Sequence, residues 1–273
     1  MTRLTRHFWI TIFFTAMSAA TVLTWPTWCV AQSVEQVPDF SSDELQGDDT
    51  PNLAAVEDRI VAQTNKLRKE HALSAVEPNE HLREAATYFA KYMANSGRYG
   101  HQADGHTPAQ RASEHGYDYC IVAENIAYRY RSTEFDQEEL ANKFYTGWRD
   151  SPEHRKNMLA PHVTETGVAV VRNDDGVFFS VQMFGRPSSQ RIEFTLINQS
   201  GESARYVLQG EGFEKSYDLP PRVRRTHRVC RPPNLRLMQT GEEESAIEEI
   251  TGGDFVVRST SGGSPKVVRS SGE

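Results

Sequence analysis

The sequence predicts an α+β fold: a domain with helices over both faces of a sheet, then a small C-terminal all-β module and a disordered tail. Three observations carry this. Residues 53–116 hold apolar stripes at spacings of three and four, the period of amphipathic helices. Residues 166–185, "TGVAVVRNDDGVFFSVQMFG", alternate about Asp175-Gly176 and are apolar on both sides, as in a hairpin covered on two faces. After Pro187 the texture changes to short β-prone runs between Gly, Asn and Pro turns.

The bulk numbers fit a globular protein of one large or two small domains: 273 residues, 38% hydrophobic and 25% charged. A net charge of −7 lacks the basic footprint of a nucleic-acid binder, so no nucleic-acid partner is expected.

Residues 1–31 read as a signal peptide. Arg3 and Arg6 precede an apolar run from Phe8 to about Val22, and Cys29-Val30-Ala31 follows Pro26. Cleavage predicts a protein that is secreted, periplasmic or extracellular and not integral to the membrane. The alternative is an N-terminal membrane anchor, since the run is just long enough to span. Residues 32–51 are acidic and polar without a period, and read as a flexible linker. Loss of Cys29 with the signal leaves Cys120 and Cys230. They either form a disulfide or stand as separate, partly buried thiols.

Along residues 52–187, Val56, Ile60, Thr64, Leu67 and His71 share the face of a first helix. Leu82, Ala85, Ala86, Phe89, Ala90 and Met93 make the stripe of a second, stopped at Gly97. Thr107, Pro108 and Gln110 spell a capping box for a short third helix. Residues 119–130 are an apolar strand, and Leu140, Phe144 and Trp148 mark helix four. In the hairpin Val177, Phe179, Val181 and Met183 share one face, and Phe178 and Phe184 the other.

Residues 188–238 form the small β module, too short for a full immunoglobulin-like sandwich. Arg222, Arg224, Arg225, Arg228, Arg231 and Arg236 crowd its end. Those arginines suit either an anionic partner or an edge strand protected by charge. Residues 239–273 are rich in Gly, Ser and Glu and read as the tail, with "VVRS" repeated at 256–259 and 267–270 as low complexity.

One stretch points to chemistry. In "WRDSPEHRKNML" (148–159), Ser151 is a favoured N-cap and Pro152 fits the next position. His154 then lies in the first turn, where the helix dipole disfavours its charged form. Such an imidazole accepts a proton or ligates a metal. His101 and His106 flank "QADG" in a loop, and Glu124 is a carboxylate inside an apolar strand. That carboxylate needs a partner, such as Arg111 or Arg155. None of these spacings is a metal motif by itself.

Taken together and in order, "NKLRKEH", "GHQADGHTPAQRASEHGY", "AENIA", "GWRDSPEHRKNMLAPHVTETGVAVV" and "FFSVQMFG" resemble bacterial CAP-domain proteins. These belong to the superfamily of cysteine-rich secretory proteins, antigen 5 and pathogenesis-related 1 proteins. The resemblance covers roughly residues 53–186. It implies a three-layer α-β-α sandwich with a cleft holding His101, Glu124 and His154, and Asn125 beside the glutamate. Ser151 stands where many eukaryotic members supply a second glutamate, and Ala123 replaces the glycine of their Gly-Glu-Asn motif.

Three functions follow as expectations. The first is a secreted binding module, in which His101 and His154 hold zinc or another divalent cation, with Glu124 as orienter or third ligand. Its ligand would be a lipid, a sterol-like molecule or a cell-envelope polymer. The second is a hydrolase with His101, Glu124 and His154 as catalytic candidates and Ser151 and Arg155 in support. The third is an envelope adaptor using the arginine-rich module.

Overall fold

The computed structural model describes residues 33–40, 51–133, 135–238, 246–247, 249–260 and 265–270. The expected signal peptide lies outside the described residues, as does half of the expected linker. Among the described residues no helix is long and apolar enough to cross a membrane.

The rest of the linker is not free. Its residues Glu35–Gln36 form strand β1, and Phe40 stacks on Tyr130 at 3.9 Å. Acidic composition hid two apolar anchors, Val37 and Phe40, which pack on the domain core.

Helix α1 (Leu53–Glu70) is capped by Asn52, whose side chain accepts from the N–H of Ala55. It buries Val56, Ile60, Thr64 and Leu67 as the stripe predicts. The fifth buried position is Arg68, not His71. Arg68 is fully buried because it donates to the carbonyls of Ser74, Met158, Ala160 and Val163. After β2 (Glu77–Pro78), α2 (Glu80–Ser96) ends at Gly97 with φ 67°, a left-handed cap suited to glycine. Strand β3 (Arg98–Tyr99) pairs with β1. Helix α3 (Pro108–Glu114) carries the predicted capping box of Thr107 and Gln110. Strand β4 (Tyr119–Arg129) precedes α4 (Gln137–Arg149) and α5 (Pro152–Met158). Strands β5 (Glu165–Arg172) and β6 (Phe178–Pro187) are the hairpin.

These elements make the three-layer α-β-α sandwich. The sheet order is β2-β5-β6-β4, antiparallel except where short β2 meets β5. Helices α1, α4 and α5 cover one face over Phe144, Trp148, Phe178 and Phe184. Helices α2 and α3 cover the other over Phe89, Phe179, Val181 and Met183. Gly167 of β5 is required by close packing, since a Cβ there would collide with the backbone of Leu82 and Arg83. Strand β4 is an edge strand of this sheet.

The C-terminal module is larger than expected. It contains β7 (Ile192–Asn198), β8 (Ala204–Gly210), β9 (Phe213–Leu219), β10 (Arg224–Val229) and β11 (Asn234–Met238). It also contains β12 (Ala246–Ile247), β13 (Gly253–Ser259) and β14 (Pro265–Arg269). They form two four-stranded sheets, β10-β7-β13-β14 and β12-β11-β8-β9. A shared core of Phe194, Leu196, Tyr206, Leu208, Leu235 and Phe255 lies among them.

The described part of 239–273 is therefore not a disordered tail. Strand β13 pairs in parallel with β7 and buries Phe255, Val256 and Val257. The two "VVRS" copies lie in β13 and β14, which pair antiparallel with Val256 opposite Val268. With these strands the module reaches the size of a sandwich. The disulfide Cys120–Cys230 joins the start of β4 to the residue after β10.

Candidate functional site

The site is built around the outer edge of β4. Even-numbered residues of β4 face α2 and α3, and odd-numbered residues face α4 and α5. Glu124 thus points at α3, where Arg111 meets it. The Arg111 guanidinium donates to both Glu124 oxygens at 2.9 and 2.8 Å. It also donates to Asp104 Oδ1 and to the carbonyls of His101 and His106, each at 2.8 Å. Its face lies 3.5 Å from the centre of the Phe89 ring. Both carboxylates and the guanidinium are almost wholly excluded from water.

This cluster holds one formal cation against two formal anions. Such a set is stable only when well hydrogen-bonded, and its surplus negative charge favours a cation nearby. His101 supplies the contact. Its Nδ1 lies 2.7 Å from Glu124 Oε1, and a carboxylate clamped by arginine can only accept. The Nδ1–H therefore donates, which turns Nε2 away from the carboxylate.

His154 comes from the other layer. Asn125, on the odd face of β4, donates from Nδ2 to the His154 carbonyl at 3.1 Å and accepts from Asn157 Nδ2 at 2.9 Å. Ser151 does not cap α5 as predicted: it makes no side-chain cap bond, and its Oγ lies 2.9 Å from His154 Nδ1. A serine oxygen in a first turn can serve a backbone N–H or a side chain three residues on, and here the imidazole takes it. Burial, and then the nearby charge of His101, hold His154 below the usual histidine range. The direction matches the sequence expectation, with burial as the largest cause.

His101 and His154 therefore come from opposite layers, each fixed at Nδ1, and lie near enough for His101 to bear electrostatically on His154. Neither Nε2 has a protein partner among the described residues. Arg155 is not part of this arrangement; it reaches His71 Nε2 at 3.1 Å. His106 lies outside as well, 3.7 Å from Asp104 on one side and 3.7 Å from Glu114 on the other. Cys120 is in the disulfide and is no nucleophile. Sequence reasoning missed Asp104 and Asn157. Both read as ordinary polar residues of a loop and a helix, and only the packing gives them partners.

The donor set limits what cation fits. Among the described residues no three His, Cys, Asp or Glu side chains gather as a metal group. Glu124 is spent on Arg111 and His101. The residues present do not supply a four-ligand structural zinc site, and of the candidate donors only the two imidazole Nε2 atoms stay unengaged among the described residues.

Residues 61–184 match the family model described as the cysteine-rich secretory protein family, CAP. The Bacillus subtilis (strain 168) protein YkwD is 26% identical over 136 residues, which cover 50% of this chain and 49% of that one. The chain thus spans about half the length of this curated relative. An outer surface protein from Borrelia burgdorferi is 20% identical, covering 48% of this chain and 92% of its own, with a TM-score of 0.43. An extracellular protein containing a SCP domain from Bacillus anthracis str. Ames is 24% identical, covering 52% and 45%, also with a TM-score of 0.43.

Proposed function

On the match of residues 61–184 to the CAP family, we propose that the chain works outside the cytoplasm as a ligand-binding module. Its cleft would hold a divalent cation, such as zinc, on Nε2 of His101 and of His154. When bound, such an ion would act as a Lewis acid toward an anionic group of the ligand. Two protein donors leave open positions on the ion. A lipid headgroup or cell-envelope polymer is the ligand class proposed to fill them.

The supporting observation is the clamp on Glu124. Both of its oxygens accept from Arg111, and one also accepts from His101. A carboxylate so engaged orients an imidazole well but is poorly placed to take a proton from water, which favours binding over hydrolysis. The surplus negative charge of the Arg111–Asp104–Glu124 cluster lies behind His101 and would favour a cation there.

Calorimetric titration with zinc tests this. One-site binding is expected, abolished by His101→Ala or His154→Ala. Glu124→Gln keeps both rings but removes the orienting charge, and should weaken binding about tenfold or more. Equal affinity in all four proteins ends the proposal. Turnover of peptide or ester substrates that disappears in Glu124→Gln would transfer the site to the hydrolase reading.

A further inference from the structure

We propose a second binding site, apart from the histidine cleft: the groove between the CAP sheet and the β module takes a short extended peptide by strand addition to β4. The groove encloses about 610 Å³, within the usual range for ligand sites. Ile121, Val122 and Ala123 of β4 line one side, and Leu159, Ala160 and Val163 an adjoining one. Glu211 and Arg231 of the β module close it opposite.

The backbone of β4 carries the proposal. Strand β4 pairs with β6 on one side only. The Glu124 carbonyl accepts from Asn157 Nδ2 at 3.1 Å. The Ile126 carbonyl accepts from Trp148 Nε1 and from the Tyr99 hydroxyl, both at 3.1 Å. Those two carbonyls therefore point away from β6. In an antiparallel ladder the outward groups recur at every second residue. The register is regular from Ile121 to Arg129, so Val122 also presents its N–H and C=O outward. Unlike the Glu124 and Ile126 carbonyls, Val122 has no side-chain cap among the described residues, and it lines the groove.

Charge selects the occupant. Glu211 accepts from Arg231 at 2.9 Å and lies 3.5 Å from Lys156, so the rim cations are matched within the protein. With Glu153 the four fixed charges of the lining cancel. A lining whose fixed charges cancel, beside a free strand edge, fits an uncharged extended backbone better than an anionic headgroup or polymer. The Cys120–Cys230 bond lies in an adjoining cavity that shares Ile121, Val122 and Arg231 with the groove, and it ties β4 to the β module.

A positional-scanning library of blocked octapeptides, read by fluorescence anisotropy on the purified protein, is the probe. The best binder is then remade with alternate backbone nitrogens methylated. Methylation in one register should cost about tenfold in affinity and in the other register little. Val122→Pro, which removes an outward N–H at an edge position that tolerates proline, should cost about the same. Ala160→Trp, which fills the groove without touching the β4 backbone, should also weaken binding. Zinc binding should be unchanged in both variants, and peptide binding unchanged in His101→Ala, which separates this site from the cleft. The proposal is overturned if no library member saturates below about 1 mM. It is equally overturned if neither methylation register matters. Binding of phosphatidylglycerol vesicles, lost in Ala160→Trp while peptides fail, would give the groove to lipid instead.

Discussion

Strands β4 and β10 are both edge strands, and they are finished in opposite ways. On β10, Arg224, Thr226 and Arg228 point outward and are exposed, and Arg228 pairs with Glu193 on neighbouring β7. That is an edge defended by charge, which discourages pairing with another chain. Of the six arginines that crowd this part of the sequence, Arg224 and Arg228 stand exposed on this edge. Arg231 is engaged by Glu211, and Arg225 lies over the Tyr217 ring. Strand β4 has no such guard. Its edge is closed by side chains from Asn157, Trp148 and Tyr99 at two positions and left open at Val122. The histidine pair stands beside the closed stretch, and the groove lies along the open one. An edge closed by specific caps retains a specific gap; an edge covered by charge does not.

The largest effect expected from breaking this contrast is at Arg111. Arg111→Met would leave Glu124 and Asp104 buried without their cation, at a cost of about 3–5 kcal/mol by chemical denaturation. The matching change on the other edge, Arg228→Met, removes an exposed pair and should cost less than about 0.5 kcal/mol. Comparable losses at the two sites would mean the edges are held alike. Next is the bond that ties the two edges together. Its partners are 110 residues apart, so Cys120→Ala/Cys230→Ala should lower stability by about 2–4 kcal/mol. A fall under about 1 kcal/mol would show that the module docks without it.

A smaller effect should appear in acid and belongs to β10. His227 faces inward, 2.6 Å from the Tyr206 hydroxyl and stacked on Phe194. Burial, then Arg225 and Lys215, push its pKa down to about 4. The unfolded chain binds this proton more readily, so stability should be full above about pH 6.5 and fall as the pH drops towards 4. Allowing for partial exposure, the loss is on the order of 2 kcal/mol. An NMR titration placing the ring at or above 6.5 would remove the effect. Smallest in stability is Arg224→Val/Arg228→Val, which should change it by no more than about 0.5 kcal/mol. The stripped edge should nevertheless self-associate in sedimentation velocity, where the wild type does not.

Features fixed by local chemistry were legible in the sequence. The Thr107 capping box, the Leu140–Phe144–Trp148 stripe and the two-faced hairpin all appear where their patterns placed them. Glu124 was legible as a carboxylate in need of a partner. The choice of Arg111 over Arg155 was not, because it depends on which helix layer each strand face meets. Ser151 was misread since capping preference is local, while the competing imidazole acts only once α5 is seated against β4. The tail was misread for a related reason. Strand β13 finds β7 in parallel about sixty residues back, and such non-local pairing leaves little mark on a Gly- and Ser-rich stretch.

We propose that two imidazoles, one from each layer, act together at β4 with Glu124 as orienter. Long-range ¹H–¹⁵N spectra of the histidine rings during a zinc titration test it most directly. The prediction is that Nε2 of His101 and of His154 shift together and saturate at one equivalent, while the His101 Nδ1 proton stays hydrogen-bonded. If only one of the two rings responds, or if neither does, the claim is contradicted.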